Sequence, residues 1–120
     1  MERRLSPRIE VNLPVDVLMD NGEVLSIPSI DISYMGVSFN CDYWTVQQLF
    51  PEGHWSGPKD RVTFNLSVPL SDEFMVACDA LVTRFLRLSE NEYHIGVQFL
   101  NLDDETQHSL IHHVNQYRDK

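Results

Sequence analysis

The chain has 120 residues, a formal net charge of −9, and a composition that is 42% hydrophobic and 22% charged. That is enough to bury the core of one domain without metal or disulfide staples, and too apolar for intrinsic disorder. The acidic excess excludes DNA or RNA as a partner, because affinity for a long polyanion rests on many Lys or Arg contacts to phosphates; no apolar run approaches the roughly 18 residues of a membrane span, so membrane insertion is not expected either.

The basic residues are unevenly spread. Arg3, Arg4 and Arg8 crowd the first eight positions, whereas residues 9 to 58 contain no Lys or Arg. Ser6-Pro7 favours an extended or turn conformation, so residues 1 to 8 read as a tail that is mobile until something binds it. From Ile9 the pattern changes. Ile9, Val11, Leu13, Val15, Val17 and Met19 alternate with Glu10, Asn12, Pro14, Asp16 and Asp20, the pattern of a half-buried strand. Pro14 cannot donate to a ladder and predicts an edge or a bulge. Asp20-Asn21-Gly22 is a hairpin signal.

The return strand, from about Glu23 to Ser33, changes parity between Leu25 and Ile27 on one side and Ile30 and Ile32 on the other. Pro28-Ser29 falls at the change and predicts a bulge that re-aims the end of the strand. That end leads into Asp31-Ile32-Ser33-Tyr34-Met35-Gly36. In an extended chain Asp31 and Ser33 share a face that is too polar to be core, and Gly36 marks a turn or a close backbone approach. Val37, Phe39 and Cys41 form a third strand, and Tyr43 to Phe50 suggests one or two helical turns before a Pro/Gly/Ser loop over residues 51 to 58. Val62 to Val68 alternates cleanly as a fourth strand. The fifth, about Phe74 to Leu86, is apolar on both parities, which predicts cover on both faces. Tyr93 to Phe99 is the sixth, with Gly96 at a close approach or a corner. A helix capped by Asp103 or Asp104 carries Leu110, Ile111, Val114 and Tyr117 as its apolar stripe.

This order predicts a single domain over 1–120: a tail over 1–8, a six-stranded antiparallel β-barrel over 9–100, and an α-helix over 103–118 that closes one mouth. Cys41 and Cys78 have no CxxC spacing and read as small apolar residues in a reducing cytosol, hence a cytoplasmic protein. His108 and His112 share a helix face, but no HExxH glutamate stands between them, and no metal is assigned. Nucleophile, P-loop and dinucleotide motifs are absent, so no catalysis is expected.

Two polar clusters remain, and their chemistry is complementary. Guanidinium groups can fork onto phosphate oxygens or the O6/N7 edge of guanine. The Asp31 carboxylate can accept from guanine N1–H and N2–H₂, or orient an arginine that binds the base; Ser33 can hydrogen-bond base or phosphate, and Gly36 can offer its N–H. Arg4-Leu5-Ser6-Pro7-Arg8 followed, after 22 residues, by Asp31-Ile32-Ser33-Tyr34-Met35-Gly36 resembles the two-part signature RxxxR … [D/N]xSxxG of the PilZ domain family, which binds the bacterial second messenger cyclic di-GMP. Arg3 matches the preceding arginine common in that family, and Tyr93 to Phe99 looks like its last barrel strand.

The resemblance implies a PilZ-like split barrel whose cyclic di-GMP site comprises Arg3, Arg4, Arg8, Asp31, Ser33 and Gly36, taking one ligand or a stacked pair, with no cofactor. A mobile arginine tail joined to such a strand-borne site adds the expectation of a receptor that signals by ordering its tail towards a downstream protein effector. Two other classes compete with it: a protein interaction adaptor that works without nucleotide, and an enzyme acting on cyclic dinucleotides, which would need a metal cluster or general base that the sequence does not display.

Overall fold

The computed structural model describes residues 8–50 and 52–118. Seven strands and two helices follow one another: β1 (Ile9–Glu10), β2 (Pro14–Leu18), β3 (Val24–Ile32), β4 (Gly36–Cys41), α1 (Tyr43–Leu49), β5 (Thr63–Pro69), β6 (Met75–Ser89), β7 (Glu92–Phe99) and α2 (Asp104–Arg118). All strand pairs are antiparallel, in the order β3-β2-β5-β6-β7-β4, and a further β4–β3 pairing closes the ring. The result is the expected six-stranded barrel, with β1 as an extra strand along the end of β3.

That extra strand corrects the reading of one unbroken strand from Ile9 to Met19. Pro14 faces Pro28 across the ladder, and neither has an N–H to donate. The chain detours over residues 11–13, where Ser29 N still donates to Leu13 O at 2.8 Å and the buried Ser29 hydroxyl completes the pairing, accepting from Leu13 N at 2.9 Å and donating to Leu13 O at 2.6 Å. One strand therefore becomes two. On its other side β3 carries an irregularity between Ser29 and Asp31 relative to β4, which pushes Ile30 outward and Ile32 into the core. The parity change in the sequence marks this bulge.

Inward residues such as Val15, Val17, Ile32, Val37, Phe39, Leu66, Val76, Ile95 and Val97 fill the barrel. The expectation that the fifth strand is covered on both faces does not hold. Val76, Ala80 and Val82 point inward on even parity. An irregularity between Val82 and Arg84 then turns Phe85 inward on odd parity, while Met75, Leu86 and Leu88 are exposed. The double parity comes from that irregularity.

The helices plug opposite ends. Asp42 caps α1 by accepting from Thr45 N at 2.9 Å, and the following Phe50 meets Phe64 and Phe85 edge-on, with centroids 5.7 and 5.1 Å apart. Asp103 caps α2 through Thr106 N at 2.7 Å. Leu110 and Val114 are fully buried, whereas Ile111, expected in the stripe, is 37% exposed. Tyr117 donates to Leu70 O, Tyr34 donates to Asn115, and His113 stacks on Phe74, so α2 is tied to the β3–β4 and β5–β6 turns. No helix among the described residues is long and apolar enough to cross a membrane.

Candidate functional site

The bulge in β3 and the registers of β4, β7 and β6 bring four positions into one row across the barrel wall. Asp31 pairs with Ser38, Ser38 with Gly96, and Gly96 with Arg84. Inward Val37 and Phe39 leave Ser38 and Asn40 on the outer side of β4, by simple alternation. The Ser38 hydroxyl donates to Asp31 Oδ1 at 2.8 Å, and Arg8 Nε donates to the same oxygen at 2.6 Å. Asp31 Oδ2 has no hydrogen-bond partner among the described residues. This ion pair is partly shielded, with side-chain exposures of 32% for Arg8 and 22% for Asp31.

Beside the pair lies a pocket of about 160 Å³, lined by Arg8, Ser38, Thr83, Arg84, His94, Gly96 and Val97. Its floor exists because Gly96 has no side chain. A Cβ there would sit 3.3 Å from Arg84 Cβ. The irregularity in β6 leaves both Thr83 and Arg84 exposed on the outer wall. His94 faces Asn40, and its Nδ1 lies 2.8 Å from Asn40 Oδ1. With an acceptor opposite, Nδ1 carries the hydrogen and Nε2 is the atom that gains or loses a proton. Burial pushes the His94 pKa below its ordinary value; Asp31 opposes the shift, and Arg84 and Arg8 add to it. In a chain of net charge −9, this is a small region with two guanidinium groups around one carboxylate.

The other two motif residues serve the turn beneath the site. Ser33 is fully buried, and its Oγ accepts from Met35 N at 3.1 Å and Gly36 N at 3.3 Å, while Ser33 N donates to Gly36 O at 2.8 Å. This closes the β3–β4 hairpin. Ser33 therefore does not share an open face with Asp31, and the Gly36 N–H is already engaged. Gly36 is required by a close approach, because a Cβ would fall 1.9 Å from Val97 O.

Of the six residues singled out in the sequence, the structure brings Arg8 and Asp31 into contact and places Ser33 and Gly36 in the supporting turn; Arg3 and Arg4 lie outside the described residues. Ser38, Thr83, Arg84 and His94 are site-lining residues that sequence reasoning missed. Two signals pointed to them: the outward parity of Ser38 next to the motif, and Arg84 as a charge within an apolar strand. Among the described residues no group of three or more His, Cys, Asp or Glu side chains is placed to hold a metal.

Solved structures share this fold. The inhibitor of motility MotI/DgrA from Bacillus subtilis superposes with a TM-score of 0.72 at 16% identity, over 98% of this chain and 52% of that one. The K. pneumonia MrkH–c-di-GMP complex gives 0.68 at 21% identity, over 100% and 57%. The PilZ domain of Escherichia coli YcgR with c-di-GMP gives 0.67 at 14%, over 98% and 93%. The chain thus spans little more than half of the MotI/DgrA and MrkH chains. No curated protein sequence matches it. The family model for the PilZ domain matches residues 2–116, nearly the whole length, and with the barrel, the extra strand and the terminal helix in place, the chain belongs to the PilZ domain family.

Proposed function

We propose that this chain is a cyclic di-GMP receptor that does no chemistry and signals by ordering its N-terminal tail. The observation that carries the proposal is the Arg8–Asp31 contact at 2.6 Å, which joins the two halves of the motif across the sequence. The c-di-GMP complexes of MrkH and YcgR, which share the fold, support the choice of ligand.

In this reading Asp31 holds the Arg8 guanidinium, and its free oxygen can accept from the guanine N1–H/N2–H₂ edge. Ser33 and Gly36 keep the hairpin rigid beneath it. Arg3 and Arg4 then close over the ligand, with their forks on O6/N7 or on phosphate oxygens. Ordering costs about 1 to 2 kcal/mol per residue in backbone entropy, so only a ligand offering several charge-assisted bonds offsets it. The bound tail presents a new surface beside Asp31 to a downstream protein effector, while the barrel is unchanged.

A titration with cyclic di-GMP followed by NMR tests both parts. Expected are saturable shifts at Asp31, Ser38 and Gly96 and a rise in the order parameters of the tail ahead of Arg8, which Asp31 already holds. Shifts without a gain of order would remove the switch. No shifts at all would leave the nucleotide-independent adaptor, and appearance of linear product would make the protein an enzyme.

A further inference from the structure

Resting on the cyclic di-GMP reading, we propose that the recess over Gly96 seats one phosphate of the dinucleotide between Arg8, Arg84 and His94, and that His94 takes up a proton from solvent when it does.

The recess has the chemistry of an oxyanion site. Arg8 and Arg84 both line it, and the only carboxylate bonded there among the described residues, Asp31, has its Oδ1 occupied by Arg8 and Ser38. Gly96 removes the side chain that would otherwise fill the floor, and the Thr83 hydroxyl, 3.4 Å from Gly96 O, lies at the wall. A phosphate oxygen entering here meets two guanidinium groups and the half-buried edge of His94. With Nδ1 committed to Asn40 Oδ1, a neutral His94 presents the lone pair of Nε2, which repels an oxyanion. Protonation converts that lone pair into a donor. Binding of the phosphate and binding of the proton to Nε2 therefore favour one another.

The charged groups acting on His94 from the surrounding elements are Asp31 on β3, Arg84 on β6 and Arg8 ahead of β1, while β4 presents the neutral Asn40. In the free protein burial and the two arginines favour the neutral ring against the opposing Asp31. A dianionic ligand reverses that balance. The pKa of His94 is then higher in the complex than in the free protein, so affinity rises as pH falls through the complex's value and levels off below the free protein's value.

Isothermal titration of wild-type protein with cyclic di-GMP between about pH 8 and 6, in two buffers of different ionisation heat, reads proton uptake directly. Expected are tighter binding at the lower pH and uptake of a fraction of a proton per ligand. His94→Gln is expected to bind more weakly, with the uptake abolished. Arg84→Ala is expected to lose about tenfold or more in affinity, with Arg84→Lys restoring part of it. Wild type that binds with no proton uptake, or His94→Gln with uptake unchanged, overturns the inference while the receptor reading stands. Wild type that does not bind cyclic di-GMP at any pH overturns both.

Discussion

Replacing Gly36 by Ala tests why this position of the motif is glycine. The methyl group would stand 1.9 Å from Val97 O and 2.9 Å from Val97 C, both backbone atoms of the neighbouring strand. Gly36 is not among the residues with positive φ, so the penalty is steric and not conformational. Real contacts do not come this close, and β4 must move away from β7 at the Gly36–Gln98 and Val37–Val97 pairs. Overpacking of this kind costs about 1 to 3 kcal/mol, and weakening one or two ladder bonds adds about 1 kcal/mol each. A loss of about 2 to 5 kcal/mol is therefore expected, or a fall in Tm of roughly 6 to 25 °C. Urea denaturation with a parallel thermal scan measures it. Gly96→Ala is the milder comparison, because its Cβ would meet Arg84 Cβ at 3.3 Å, a contact that a shift of a few tenths of an ångström relieves, and it should cost clearly less than Gly36→Ala. If Gly36→Ala changes stability by less than about 0.5 kcal/mol, the close approach of β4 and β7 is not what requires glycine.

Ser33→Ala leaves the buried amide of Gly36 and the partly buried amide of Met35 without their acceptor and should cost about 1 to 3 kcal/mol in urea denaturation; wild-type stability would mean that the turn holds without it. The stability of the ligand-free protein should fall as pH drops below about 6.5, because the His94 pKa is lowered in the folded state and the unfolded chain takes up the proton first. That slope should vanish in His94→Gln, and a slope unchanged in the variant would assign it to other groups. Burial, reinforced by the Asp42 charge, pushes the Cys41 thiol up to about 12, so native protein at about pH 8 should react with a thiol reagent far more slowly than free cysteine; labelling at the free-thiol rate would place Cys41 at an open surface.

The strands from Val62 and from Tyr93 were legible because one face of each is core, and alternation reports that directly. The break at residues 11–13 was not, because it arises where Pro14 faces Pro28, and facing depends on a register that one strand's pattern does not contain. Asp31 and Arg8 could be paired from sequence as complementary charges set by a motif. The turn role of Ser33 could not, since a hydroxyl two residues after Asp31 reads equally well as a ligand group or as a hairpin clamp. Arg84 and His94 join Asp31 only because β3, β4, β7 and β6 lie side by side, which is a property of barrel closure and not of any local stretch.

The central claim is that Asp31, held against Arg8, reads cyclic di-GMP on the outer wall of the barrel. Calorimetric titration of cyclic di-GMP into wild type and Asp31→Ala measures it most directly. An ion pair this close to the surface contributes only about 1 kcal/mol to folding, so Asp31→Ala should stay folded while losing roughly 2 to 5 kcal/mol of binding free energy, about thirtyfold or more in affinity. Saturable wild-type binding that collapses in a folded Asp31→Ala is the predicted result. Absence of binding in wild type, or equal affinity in the two proteins, would contradict it.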